Sequence, residues 1–423
     1  MGFTVSYFLP FAFLLLVQSP SLDSVSPKER QAAVEQMAVL GNRDAIPKLA
    51  EALKKEPKSE NRAEIVAALG RIRDKDAIPV LAETMRNDLD KDVRSQAIDS
   101  LMRLYILIED PGPVRTVFNK VRSVLIEPDP PVVGPEVEVD ASAKEALAVV
   151  MQKDFNDEVR MEATRALGSL RAKDQIPAMI AALDDPQNRE HRAVRAEIVH
   201  TLGVLRDPSA GSAVARALHD SDRQVVSEAV VAVGLVGDTA ARPTLEEIFR
   251  TNPSAALKSR ALESLALLHD PASTPLFESL LDNKEDNYRE LSAEGLARLK
   301  YPGAKDWKTR LDQEKKANVR NALAYGLATS GNTGYINNLV SALDTRQAYQ
   351  VEAYLFELAK FGGQLNELYR YLHSTNPKER AGVVRIVGNV GDPSSAEQIR
   401  ALTSDSNTDV VREAVAALRK LNK

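Results

Sequence analysis

Residues 159–171 read VRMEATRALGSLR, and related lines return as RAEIVAALGRIRD from Arg62, VRSQAIDSLMRLY from Val93, VRAEIVHTLGVLRD from Val194, VVSEAVVAVGLVGD from Val225 and ERAGVVRIVGNVGD from Glu379. The apolar residues of these lines recur at helical spacing. The position just after the last apolar residue of each helix serves as a landmark: Gly41, Arg73, Tyr105, Arg171, Arg206, Gly237, His269, Lys300, Gly331, Gly362, Gly391 and Asn422. Successive landmarks are about 31 residues apart, except for one double step between Tyr105 and Arg171, and such a period is far too long for a heptad and fits a two-helix repeat.

The other helix of each unit is led by a proline, at Pro47, Pro79, Pro177, Pro243 and Pro275, and opens lines such as IPVLAETM and IPAMIAAL. Asp207-Pro208, Asp270-Pro271 and Asp392-Pro393 place a capping carboxylate before a proline suited to a first helical position. Gly237, Gly331 and Gly391 stand where a helix must stop in a left-handed turn. Helical hairpins stacked at a fixed period form a solenoid, which overrides the two or three globular domains that 423 residues would ordinarily suggest. With 44% apolar but only 5% aromatic residues, the core must be mainly Ala, Leu, Val and Ile, the fillers of helix-on-helix packing. The expected fold is an all-α solenoid, a right-handed superhelix of about eleven helix pairs behind an orphan capping helix near residues 27–40. It ends on a complete pair, with Lys and Arg in the last turn of VVREAVAALRKLNK as polar cover.

The VRxxAxxALGxLxD and AxPxL lines resemble HEAT repeats, of the type also found in phycobilisome bilin lyases, and the resemblance runs from Ser26 to Lys423. It implies that the Arg-bearing helices line the concave side. It specifies fold more than function, because similar repeats serve scaffolds, adaptors, lyases and hydroxylases. The expected organisation is a signal or anchor at 1–24, repeats at 25–106, an aperiodic insertion at 107–140 and the main array at 141–423.

A net charge of −5 over a chain with 27% charged residues gives a surface of mixed sign, not the basic footprint of a nucleic-acid binder. The absence of cysteine excludes disulfides, thiolate metal sites and thiol catalysis. Neither GxGxxG nor GxxxxGK[ST] occurs, so no phosphate loop is expected. The five histidines are scattered and none is followed by Glu, whereas HEAT-type deoxyhypusine hydroxylases carry repeated His-Glu pairs; His219-Asp220 and His269-Asp270 come nearest and read as surface or capping residues. No catalytic, cofactor or metal residues are therefore expected. FLPFAFLLLV at 8–17, followed by Ser19, Pro20 and Ser21, reads as an export signal lacking a basic leader, which implies a secreted or periplasmic protein. An uncleaved membrane anchor is the alternative, and the myristoylation pattern of Gly2 and Ser6 is set aside because an apolar run directly behind it is better explained by secretion.

Arg recurs at one helix position as Arg30, Arg62, Arg94, Arg160, Arg195, Arg289, Arg320 and Arg380, with Lys258 in the same place and Val226, Val351 and Val411 as breaks. Cations stacked about 10 Å apart could read an acidic partner. A structural ladder, bonding acidic and carbonyl groups of the adjoining turn with Asp157 and Glu379 at hand, is the plainer account. Gly70, Gly168, Gly203, Gly234 and Gly388 sit inside these helices at a cost of about 1 kcal/mol each relative to Ala, which implies close helix packing. In the insertion, Arg115, Lys120 and Arg122 flank an apolar helical face ahead of the loop EPDPPVVGPEVEVD, which suits either a docking arm or a patch at a junction. Six of the ten tyrosines, Tyr325, Tyr335, Tyr349, Tyr354, Tyr369 and Tyr371, fall close together, and with Trp307 they either form a recognition surface or fill gaps between diverged repeats. The functional expectation is a scaffold or adaptor whose concave groove holds a protein partner, without nucleic acid and with membrane contact only through the N-terminal segment. A bilin-lyase-like enzyme or tetrapyrrole chaperone is the alternative that the resemblance implies; without cysteine, any covalent bilin acceptor would lie on a partner.

Overall fold

Proline starts and left-handed stops divide the chain into helices in the computed structural model, which describes residues 21–106, 133 and 137–421. The export or anchor segment and most of the insertion, with Arg115, Lys120 and Arg122, lie outside the described residues. Two compact units are distinguished, and among the described residues the division falls after Leu170. The first contains α1 (Pro27–Leu40), standing alone, and the pairs α2 (Ile46–Lys55) with α3 (Ser59–Ile72), α4 (Ile78–Asn87) with α5 (Lys91–Tyr105), and α6 (Ala141–Lys153) with α7 (Asp157–Ser169).

The second contains α8 (Ile176–Asp184) with α9 (Arg192–Leu205), α10 (Gly211–Ala217) with α11 (Arg223–Val236), α12 (Arg242–Thr251) with α13 (Ala255–Leu267), and α14 (Thr274–Leu280) with α15 (Asp286–Arg298). It continues as α16 (Lys308–Gln313) with α17 (Ala317–Thr329), α18 (Ile336–Ser341) with α19 (Ala348–Lys360), α20 (Leu365–Tyr369) with α21 (Pro377–Val390), and α22 (Ala396–Arg400) with α23 (Thr408–Leu421). The described residues thus form an orphan helix and eleven pairs, with no strand, and the expected α-solenoid is the fold observed. The even-numbered helices are called A and the odd-numbered ones from α3 onward B; α1 occupies a B position.

The stops lie where the periodicity put them. Gly41, Gly237, Gly331 and Gly391 adopt φ of 60°, 80°, 100° and 75°. Arg73, Arg171, Arg206, His269 and Lys300 occupy the same left-handed position without being glycine, at φ between 48° and 57°. Two landmarks shift: the left-handed residue is Gly363 rather than Gly362, and α5 leaves through an extended Ile106. Asp207, Asp270 and Asp392 each accept the backbone N–H two residues on, but the proline that follows opens a single 3-10 turn ahead of the A helix rather than the A helix itself. Asn42, Asp74 and Asp238 cap the same turn in their repeats.

B helices lie against the B helices before and after them, and the interior glycines show how closely. A Cβ on Gly70 would lie 2.8 Å from the Cα of Ser100, on Gly203 2.9 Å from that of Ala232, on Gly234 2.8 Å from that of Ser264 and on Gly388 3.0 Å from that of Ala417. Backbone is in the way at each, so no side-chain rotation relieves the clash. Gly234→Ala is therefore expected to destabilise by about 1–3 kcal/mol in urea unfolding, although alanine is the better helix former. A stabilised variant would mean that the B helices have room to part.

Candidate functional site

Charged side chains on the B helices fall into two systems, a ladder at the helix starts and a cluster further along. In the first unit Arg30, Arg62 and Arg94 each join two successive turns. Through Nη1, Arg62 donates to the Pro57 carbonyl at 3.1 Å and Arg94 to the Asp88 carbonyl at 2.9 Å, both in the turn before their own helix. Nε and Nη2 reach both oxygens of a carboxylate in the next such turn: Arg30 holds Glu56, Arg62 holds Asp88 and Arg94 holds Asp154. The second unit repeats the arrangement with Arg195 on Asp220, Arg289 on Glu314 and Arg380 on Asp405. The carboxylates also accept the backbone N–H two residues ahead, as Asp88 does from Asp90 at 2.9 Å and Asp220 from Asp222 at 2.8 Å. Burial pushes the carboxyls of Glu56, Asp88, Asp220 and Glu314 up, but the guanidinium and the turn N–H outweigh it and hold them below their usual range.

The carboxylates that these six arginines hold lie in a following turn, and Glu379 accepts from the Ser374 hydroxyl. Arg320 and Arg160 donate to main chain, Arg320 to the carbonyls of Leu311 and Glu314 and Arg160 to that of Met151. Where the ladder residue is Val226, Lys258 or Val351, the equivalent turn position holds neutral Asn252, Asn283 or Ser374, each still bonding the N–H two residues on. A buried carboxylate without its guanidinium would be strongly unfavourable, and no acid stands at this position where the arginine is missing.

The second system lies on α13, α15, α17 and α19 of the second unit. Arg298 donates to Glu357 at 3.0 Å and to Glu294 at 3.1 Å. The Tyr325 hydroxyl donates to Glu357 at 2.6 Å and that of Tyr354 donates to Glu294, while the two rings stack with centroids 4.5 Å apart. Gln350 donates to Glu290 at 2.6 Å and to the Tyr354 hydroxyl at 2.7 Å, and Asn318 donates to the other oxygen of Glu290. Glu263 on α13 feels Glu294, Arg298 and Glu290 and makes no hydrogen bond among the described residues.

Burial, reinforced by Glu294 and opposed by Arg298, pushes the Glu263 carboxyl up to about 8. Burial and the charge of Glu294 raise Glu290 to about 7. Burial also pushes Glu357 up, but Arg298 and the Tyr325 hydroxyl outweigh it and the carboxyl lies below its usual range. Near neutral pH this face therefore holds protons that a nearby positive charge would expel. On α19, α21 and α23, Arg385 lies between Glu352 and Glu413, and burial raises Glu352 as well.

Local sequence explains the cluster's position. The slot of Glu357 is small in most other B helices, as in Ala68, Ser100, Thr201, Ala232, Ser264, Gly295 and Gly326, which lets those helices close up, whereas α21 has Ile386 there. With a carboxylate there, α19 meets α17 through stacked tyrosines and the Tyr325–Glu357 hydrogen bond, and meets α15 through the Arg298 ion pair. Tyr325 and Tyr354 are consequently buried and present no ring to solvent, so gap filling, not a recognition surface, is what they do. Trp307 is buried too, its indole lying where a side chain on Gly326 would have to be. Tyr349 alone of the four aromatic candidates is exposed, at 42%.

Helix pairs stacked at a constant period, joined turn to turn by an Arg–carboxylate ladder, define an α-solenoid repeat protein. The HEAT-repeat family profile matches residues 19–102 and 187–266, and the PBS lyase HEAT-like repeat matches 159–185. The chain belongs to the HEAT-repeat proteins. No curated protein sequence matches it. Among solved structures it is similar to yeast importin-beta (Kap95p), at 12% identity and a TM-score of 0.52 over 94% of this chain and 60% of that one. It is also similar to the Escherichia coli protein YIBA_ECOLI, at 18% identity and a TM-score of 0.42 over 66% and 90% of the two chains. The complex of CpcE and CpcF of phycocyanin lyase from Nostoc sp. PCC7120 matches at 18% identity and a TM-score of 0.35 over 66% and 92%. At these identities the likeness is one of fold.

Proposed function

We propose that the chain is a protein-binding scaffold whose B-helix face in the second unit, around Glu263 and Glu290, receives a cationic segment of a partner protein. The observation that carries this reading is the pair of crowded, partly buried carboxyls held at about 8 and about 7 by burial and by one another's neighbours. A lysine or arginine side chain arriving there relieves like-charge repulsion that Arg298 and Arg260 offset only in part at Glu263. The ladder arginines, in contrast, are committed to intramolecular bonds and do not offer an acidic partner a free row of cations. The bilin-holding alternative has only the repeat type in its favour.

A fluorescent, lysine- and alanine-rich helical peptide provides the test. Its affinity for the full chain is expected to rise about tenfold between pH 6 and pH 9 as the acceptor carboxyls ionise, and to fall with added salt. Glu263→Gln, which keeps the shape but cannot ionise, should flatten that pH dependence. Equal affinity for a glutamate-rich peptide, or a pH profile unchanged in Glu263→Gln, would contradict the proposal.

A further inference from the structure

The ladder of the first unit has a second consequence, at the residue that follows each acceptor. Ser24 is followed by Val25, Glu56 by Pro57, Asp88 by Leu89 and Asp154 by Phe155, so every such turn of this unit carries an apolar residue. All four are exposed, Val25 to 98%, Leu89 to 97% and Phe155 completely. The rungs tie them into one row. Arg30 donates to the Val25 carbonyl and holds Glu56 beside Pro57; Arg62 donates to the Pro57 carbonyl and holds Asp88 beside Leu89; Arg94 donates to the Leu89 carbonyl and holds Asp154 beside Phe155. Adjacent tips are therefore about one helix-packing distance, roughly 10 Å, apart.

The turn itself does not demand an apolar residue. In the second unit the same position is occupied by Arg189, Ser221, Lys284, Lys315, Arg346, Thr375 and Ser406, with Pro253 the only apolar exception. A row of fully exposed Leu, Phe and Val on one edge is unfavourable in water and marks a surface that something covers.

We propose that this edge of the first unit rests on a lipid bilayer, with Leu89 and Phe155 entering the interfacial layer. Three observations select a bilayer over a protein partner. The apolar residues are single tips at successive turns, each just ahead of a helix in a B position, an arrangement that can enter a plane together. Each tip has a lysine within three residues, Lys28, Lys58, Lys91 and Lys153; Lys91 pairs with Glu158 at 3.1 Å, and the other three are long enough to reach anionic headgroups while the tip is immersed. The apolar run at 8–17 ends just upstream of Val25, and the intervening chain spans at most about 30 Å when extended, so any bilayer that holds the run lies within reach of this edge. No described helix is long and apolar enough to cross a membrane, so the contact made by the folded part is interfacial.

Tryptophan fluorescence of the full chain on phosphatidylcholine–phosphatidylglycerol vesicles with brominated acyl chains tests this. Phe155→Trp places the probe on a tip, and Asp44→Trp places it at an exposed turn at the opposite ends of the helices, while the buried Trp307 contributes the same background to both. The expected result is a blue shift and about twofold bromine quenching of the Phe155→Trp signal, with Asp44→Trp unchanged. Three results would overturn the proposal: no sedimentation with the vesicles, equal quenching of the two probes, or an unquenched Phe155→Trp in vesicle-bound protein. The last is the outcome if the apolar run alone holds the membrane or if a protein covers the row.

Discussion

Replacing Arg298 by methionine is expected to lower the stability of the second unit by about 3–5 kcal/mol at pH 8, the cost of leaving buried carboxylates without their cation. The Arg298 side chain is 6% exposed and is the ion-pair partner of both Glu294 and Glu357. Methionine fills much of the volume, so the loss reports charge more than packing. Its pH dependence has a definite sign. With the cation gone, burial is left to push the Glu357 carboxyl above its unfolded value of about 4.3, so the penalty is complete above the raised value and fades as pH falls toward 4.3. In the intact protein Glu263 and Glu290 act in the same direction, unfavourable above about 8 and about 7 and relieved below. The ladder carboxyls, held low, act in the opposite direction and lose their contribution only as pH falls through their depressed values. Hydrogen exchange of α15 and α19 at pH 5.5 and pH 8 is the measurement; an equal loss at both would mean that Arg298 holds the helices by packing alone.

Arg94→Met is expected to have an effect of similar size, about 3–5 kcal/mol, but a local one. The other carboxylate rungs join residues 25 or 26 apart, whereas Arg94 and Asp154 are 60 apart, so this rung closes a much longer stretch of chain. Asp154 has 4% of its side chain exposed and would be left buried and charged. In a repeat array such a break releases the neighbouring pair first. Amides of α6 and α7 should lose protection while those of α3 keep it. Adding Asp154→Asn should recover part of the loss, because the unpaired charge is then gone. A double variant worse than the single one would show that the bond to Asp154 is not the reason.

Helix count, pairing and stops are legible in the sequence because they depend on local chemistry: prolines that open turns, apolar residues at helical spacing and residues that end helices. Arg206, His269 and Lys300 show that repeat position outweighs residue preference, since each takes a left-handed conformation that glycine would take more easily. The ladder acceptors were equally open to reading, as an acid 25 or 26 residues after most ladder arginines and a neutral residue where the arginine is missing. Looking only at near neighbours such as Glu379 hides them. The cluster is different. Glu263, Glu290, Arg298 and Glu357 sit on three separate helices, and each alone resembles the solvated face of a surface helix. Its one signal is Glu357, a carboxylate in a slot that is small in most of the other B helices. The aromatic residues could not be assigned from amphipathic character, because Tyr354 and Tyr349 differ only in which side of α19 they occupy.

Proton release on binding tests the central claim most directly. If a cationic segment binds beside Glu263 and Glu290, their carboxyls must lose protons as it arrives, about one per complex at pH 7. Calorimetric titration of the lysine-rich peptide into the full chain, in two buffers of different ionisation enthalpy, counts them. The account predicts a release close to one proton, abolished in the Glu263→Gln, Glu290→Gln double variant. Binding with no proton exchange, or with uptake, would contradict it.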